Sequence, residues 1–116
     1  MSGNFPRRGE IWQVHLPDEN KRRPAVIISV NSRNETANSV IVVPLTTNLR
    51  PSPAHVLLHA GHGGLRHASM ARCENLGYVH KSRLNRASFS GVIAPALLGQ
   101  IERAILGALG IRPNTV

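Results

Sequence analysis

The apolar residues of this chain change their spacing once, and that change restricts the fold more than any other feature. Before Ala94 they come in short alternating or β-branched runs, separated by glycine, proline and polar residues, which is the pattern of strands. After it, Ala94, Leu97, Ile101, Ile105 and Leu109 recur at steps of three and four, the stripe of an amphipathic helix. Pro95 suits the first turn of that helix and Gly110 its C-terminal cap, with Pro113 beyond. The strand candidates are 9–16, where Trp12, Val14 and Leu16 share one half-buried face, then 25–30, 40–45, 55–59, 69–74, 78–79 and 91–93. Residues 1–7 read as a lead-in, 17–20 as a turn and 31–38 as a polar linker. Residues 46–48 and 51–53 read as loop, and 61–64 as a mobile glycine turn. Pro44 places the end of the third strand at an edge or a bulge. Several short strands followed by one helix predict a mainly β, α+β domain: a small antiparallel barrel with a C-terminal helix packed on it. At 116 residues the chain suits one domain, 1–116, large enough to hold its own core.

The charge narrows the partners. Formal net charge is +8, and of the 14 cationic side chains only Lys21 and Lys81 are lysines. Arginine-dominated charge favours bidentate contacts to phosphate, so nucleic acid or another polyanion is the expected partner. The alternative is a surface charged for solubility alone. Only 3% of residues are aromatic, so a platform for stacking single-stranded bases must be small. Cys73, the only cysteine, excludes an intramolecular disulfide and reads as a buried structural thiol. There is no apolar stretch of about 20 residues and no hydrophobic leader, which predicts a cytoplasmic protein away from membranes.

Most enzyme chemistries lack their residues here. The six acidic side chains form no paired-carboxylate motif, and neither a phosphate-gripping glycine loop nor a nucleophile elbow is present. Four histidines fall in HVLLHAGHGGLRH. On a strand His55 and His59 stand about 13 Å apart, too far for one ion; His62 and His67 could share one, but turn histidines are the expected reading.

The arginines and hydroxyls remain. In KRRPAVIISV, Pro24 fixes its own φ and biases Arg23 toward extended backbone, so this cation points in a constrained direction. If the second and third strands pair antiparallel, Arg23 meets Thr46-Thr47. A fixed guanidinium facing a hydroxyl can hold a phosphate and stabilise a charged transition state. Equally, Arg23 could pair with a surface carboxylate while Thr46 caps the strand end.

Arg8-Gly9-Glu10-Ile11-Trp12, Arg23-Pro24-Ala25-Val26-Ile27-Ile28 and Val42-Val43-Pro44-Leu45-Thr46-Thr47-Asn48 together resemble the MazF/PemK family of toxin endoribonucleases. The resemblance continues through Ser69-Met70-Ala71-Arg72-Cys73-Glu74-Asn75-Leu76 and Lys81-Ser82-Arg83-Leu84 to the final helix, covering nearly the whole chain. It implies an SH3-like barrel, a homodimer, and metal-independent, cofactor-free cleavage of single-stranded RNA. It also implies a cognate antitoxin, which the basic surface suggests is acidic. The family's catalytic pair matches Arg23 and Thr46; Ser69, Glu74, Asn75 and Arg83, with Lys81 and Asn48, match its RNA-contacting positions. Two departures bear on specificity: the loop Pro17–Arg22 is short, and Gly77 stands where an arginine is common. Two other readings compete: a noncatalytic nucleic-acid-binding barrel, and a toxin of the same fold acting on a topoisomerase.

Overall fold

A computed structural model describes residues 4–16 and 19–112; the readings for Met1–Gly3, Pro17–Asp18 and Pro113 lie outside these residues. The elements run β1 Glu10–Val14, β2 Arg23–Ile27, α1 Asn31–Thr36, β3 Ser39–Thr46, β4 His55–Leu58, β5 Ser69–Arg72, β6 Gly77–His80, β7 Phe89–Val92 and α2 Pro95–Ala108. The strands form one seven-stranded sheet in the order β4-β5-β3-β2-β1-β7, with β6 also on β3. Every pairing is antiparallel.

The sheet is buried on both faces, because successive residues of its central strands enter two different cores. Ile11, Val26, Val43 and Leu45 pack with Ile101 and Ile105 of α2. Their neighbours Trp12, Val14, Ala25, Ile27, Val40 and Val42 pack with Val79 in a second core. Residues 25–28 and 40–43 therefore read as unbroken apolar runs, not alternations. β1 keeps the expected face of Trp12, Val14 and Leu16, yet Ile11 is wholly buried on the other. Burying both faces of β1, β2 and β3 fixes their register, since a one-residue slip would exchange the two cores.

One glycine-bearing segment links the edge strands β4 and β7, and another ends the helix. Residues 61–65 cross over β7, where Ser90 Oγ donates to the Gly63 carbonyl at 2.9 Å. A Cβ at Gly91 would lie 2.5 Å from the Gly63 carbonyl carbon, so only a bare backbone fits the crossing. At the end of α2, Gly110 adopts φ +74° and donates to the Gly107 carbonyl, while Ile111 N–H reaches the Leu106 carbonyl at 2.8 Å. This paired capping pattern ends the helix where the sequence indicated. Leu109 is exposed, so the buried stripe stops at Ile105.

Residues 31–38, expected as linker, contain the six-residue helix α1. No apolar stripe marks it because a polar side chain anchors it. Asn34, fully buried, donates through Nδ2 to the Ser29 carbonyl at 2.8 Å and bonds the Ser29 hydroxyl through Oδ1. Pro44 is likewise not at an edge. It faces Ala25 of β2 in the middle of the sheet, and its missing N–H explains what happens on its other side.

Candidate active site

β3 changes neighbours halfway along. Residues Ser39–Val42 pair with β6, and Leu45–Thr46 pair with β5. Between them lies Pro44. Ile28 N–H donates to the Ile41 carbonyl, which makes Val26–Val43 the next hydrogen-bonded pair with β2 and turns the Pro44 nitrogen away from β2, into the gap. With no N–H there, the sheet forks without leaving a backbone donor unpaired at Pro44. The chain from β5 to β6, carrying Cys73, Glu74, Asn75 and Leu76, arches over the fork.

A cleft of about 340 Å³ opens at this fork, with Arg23, Pro44, Arg72, Asn75 and Tyr78 among its walls. The β2–β3 pairs run from Ile27–Val42 to Ala25–Pro44, and the same register carried two residues further leads from Arg23, the first residue of β2, to Thr46, the last of β3. Directly opposed residues share a face of the sheet. The Arg23 guanidinium is held from one side: Nε donates to Glu19 Oε1 at 2.7 Å, and Nη1 lies 3.5 Å from the Leu45 carbonyl. Nη2 has no partner among the described residues. Thr46 Oγ1 accepts from Asn48 N–H at 3.1 Å, and its own hydroxyl proton remains available to donate. Arg23 thus pairs with a carboxylate and Thr46 caps its strand end, as the structural alternative required. Both contacts leave a donor free.

The other sequence-derived positions divide. Asn75 lines the Arg23 cleft. Arg83 lines the adjoining cleft of about 480 Å³, which shares Leu16, Glu19 and Tyr78 with it. Glu74 and Asn48 are exposed beside the fork. Glu74 Oε2 bonds His55 Nε2 at 3.0 Å, and His55 Nδ1 bonds the Arg50 carbonyl at 3.0 Å. Those two acceptors, the carbonyl first, raise the His55 pKa above its ordinary 6.5. For Glu74 desolvation, the largest single influence, pushes upward. The bond from His55 with its own backbone amide and nearby charges outweighs it, so the pKa lies below its ordinary 4.5.

Ser69 and Lys81 are elsewhere. The Ser69 hydroxyl is buried and donates to the His67 carbonyl at 3.1 Å, in a separate depression with Gln13, Pro24 and Thr47. Lys81 Nζ donates to the carbonyls of Asn34 at 2.6 Å and Glu35 at 3.1 Å, completing the C-terminal end of α1. Cys73 is buried, and desolvation followed by the Glu74 charge pushes its thiol up to about 12, which leaves it inert. Three residues at the cleft escaped the sequence reading: Glu19, Arg72 and Tyr78. Arg72 had a signal, since it alternates with the buried Ala71 and Cys73 along its strand. Glu19 had none, because its partner lies across a turn.

A curled antiparallel half-barrel with one C-terminal helix, carrying an arginine-walled cleft at a strand fork, defines a small basic domain suited to a phosphate backbone. Residues 7–109 match the family described as PemK-like, MazF-like toxins of type II toxin-antitoxin systems, and the chain belongs to that family. It is 36% identical over 110 residues to endoribonuclease MazF9 of Mycobacterium tuberculosis, covering 85% of this chain and 92% of that protein. Endoribonuclease MazF4 of the same species is 31% identical over 108 residues, covering 93% of this chain and 96% of its own. A mycobacterial endoribonuclease solved in complex with its cognate antitoxin superposes with a TM-score of 0.81 at 28% identity, covering 94% of this chain and 99% of that one. Among the described residues no helix is long and apolar enough to cross a membrane.

Proposed function

We propose that this toxin is an endoribonuclease that cuts single-stranded RNA at short recognised sequences, with Arg23 and Thr46 at the reacting phosphate. The observation that carries this is a guanidinium fixed by Glu19 at the wall of the cleft, with Nη2 open, at the strand end that the β2–β3 register leads toward Thr46. The ribose 2′-hydroxyl gives its proton to a base, its oxygen bonds the adjacent phosphorus, and the bond to the 5′-oxygen breaks. The products are a 2′,3′-cyclic phosphate and a 5′-hydroxyl. Arg23 stabilises the charge that builds on the phosphorane, and Thr46 donates to a phosphate oxygen. Arg23 is not the base, because a guanidinium with a pKa above about 12 keeps its proton. The positive charge a metal would bring is already supplied by Arg23 and Arg72, so the reaction calls for no metal and no other cofactor.

The setting follows from the same surface. A cytoplasmic RNA-cutting toxin needs an inhibitor, and a groove walled by arginines fits an acidic antitoxin segment that orders on binding and displaces RNA. We place the toxin as a homodimer, as the family resemblance implies.

Incubating the purified protein with one long, defined RNA in the presence of EDTA tests this reading. Fragments with 5′-hydroxyl and cyclic phosphate ends at a recurring short sequence are expected. Binding without cleavage would favour the noncatalytic barrel, and cleavage lost to EDTA and restored by a divalent ion would overturn the mechanism.

A further inference from the structure

Three clefts join end to end on one side of the domain. The Arg23 cleft shares Leu16, Glu19 and Tyr78 with the cleft of about 480 Å³. That one shares His15 and Arg83 with a third of about 330 Å³, which Arg22 also lines. Cations stand along the whole path: Arg23 and Arg72 at one end, Arg83 in the middle, and at the other Arg22, whose Nη2 is taken by the Gln13 carbonyl and the Ser88 hydroxyl. A single strand could follow it with phosphates on the arginines. Bases need something else, and the chain has few aromatic rings to offer.

Those rings are accounted for one by one. Trp12 is buried in the second core; Phe89 meets it edge-on with centroids 5.5 Å apart, has the Arg86 guanidinium over its ring at 5.8 Å, and lines the separate depression with Ser69 rather than the joined clefts. Phe5 lies under the Arg7 guanidinium, 4.6 Å from its carbon. Tyr78 differs. It is 53% exposed, it forms the common wall between the first two clefts, and its ring meets His80 edge-on at 5.6 Å. An edge-on neighbour steadies a ring while leaving a face uncovered.

We infer that Tyr78 is the base-stacking residue of this enzyme, holding a base next to the scissile phosphate and directing the strand from Arg23 toward Arg83. The inference rests on the endoribonuclease reading and deepens it. Tyr78 touches no reacting atom, so its work shows in binding and in position along the strand rather than in the chemical step. A flat ring tolerates different bases, which makes Tyr78 a setter of register; polar groups around Asn75 and His80 then read the base.

The test pairs the side chain with the base it stacks. A 2′-O-methyl RNA containing the cleavage sequence, which binds but cannot react, is made with an abasic site at each position in turn. Affinities are measured for wild type, Tyr78→Phe, Tyr78→Ala and Tyr78→Leu. Stacking on one ring is worth about 5- to 150-fold in affinity. At one position beside the scissile bond, the abasic site should weaken binding to wild type and Tyr78→Phe by such a factor. The same abasic site should cost Tyr78→Ala and Tyr78→Leu almost nothing. On cleavable RNA, Tyr78→Ala should raise KM by a similar factor and change kcat by less than about threefold.

Additive losses at every position, or equal losses in Tyr78→Phe and Tyr78→Ala, would overturn the inference while wild-type cleavage left the function standing. Should wild type bind the strand with the expected coupling but fail to cut reactive RNA, the catalytic reading falls and the stacking role stands. If wild type does not bind the strand, both fall. Because Tyr78 is an exposed surface residue, unchanged melting of the four proteins separates these outcomes from misfolding.

Discussion

Arg23 and Lys81 carry the same charge and both stand at strand ends in motifs that resemble the family's, yet the structure gives them opposite duties. Lys81 has its ammonium among α1 carbonyls, where it completes a helix end. Arg23 has one donor fixed by Glu19 and another open to a cleft. Arg33 resembles Lys81, donating to the Ser39 carbonyl at 2.7 Å; Arg8 does too, bound to the Ile28 carbonyl and to Glu102 of α2. A net charge of +8 therefore overstates the cations available to a ligand. What separates structural from functional cations is the occupancy of their N–H groups, and that is a property of the folded chain.

The comparison breaks most visibly at Arg23. Arg23→Ala should cut the rate of RNA cleavage by about 100- to 1000-fold, the usual cost of a lost donor to a developing oxyanion. Stability should fall by about 1 kcal/mol or less, since the pair with Glu19 is partly exposed. Arg23→Lys should fare little better than alanine, because an ammonium cannot be gripped at one nitrogen and present a second. Near-wild-type cleavage by either variant, with an intact melting curve, would remove Arg23 from the site. Thr46→Val should follow with a loss of about 10- to 100-fold, being one uncharged donor to an anionic phosphate oxygen. Single-turnover cleavage at saturating RNA measures it, and an unchanged rate would leave Thr46 as a strand cap only.

Lys81→Met should do the reverse. Urea unfolding should show a loss of about 1–2 kcal/mol as the α1 carbonyls lose their donor, with cleavage per folded molecule unchanged. A selective loss of RNA affinity without loss of stability would instead assign Lys81 to the groove.

The smallest effect concerns the ion pair flanking the fork. Both partners of His55 are acceptors, so both ring nitrogens must carry protons and the ring is favoured as imidazolium. A histidine pKa raised from 6.5 contributes stability present below that value and lost as pH rises through the folded pKa. A glutamate pKa lowered from 4.5 contributes stability present above that value and lost as pH falls through the folded pKa. The pair is therefore at full strength between 4.5 and 6.5. Glu74→Gln should lower the urea midpoint at pH 5.5 and make little difference at pH 8.5. Equal shifts at both values would show that the two groups do not titrate together.

The placement of Arg23 and Thr46 at strand ends was legible early. Arg23 sits against a proline at the mouth of an apolar run and Thr46 closes the next, and the two strands do pair. The helix was legible too, from a stripe of local period with a proline at its start and a glycine at its end. α1 was not, because six residues anchored by one buried asparagine leave no period to detect.

Local pattern, then, determined the strands, the C-terminal helix, their order and the family. Each is encoded within a few residues or in motifs whose order survives translation along the chain. Tertiary structure alone decided the rest: that β3 forks at Pro44, that Arg72, Asn75 and Tyr78 arrive beside Arg23, that Ser69 turns inward and Lys81 is occupied. These depend on pairings between residues far apart in sequence, such as Leu45 with Ala71 and Val42 with Gly77. The physical reason is that a side chain's polar atoms bind whichever backbone groups the fold leaves unsatisfied nearby. Spacing along the chain cannot show which those are.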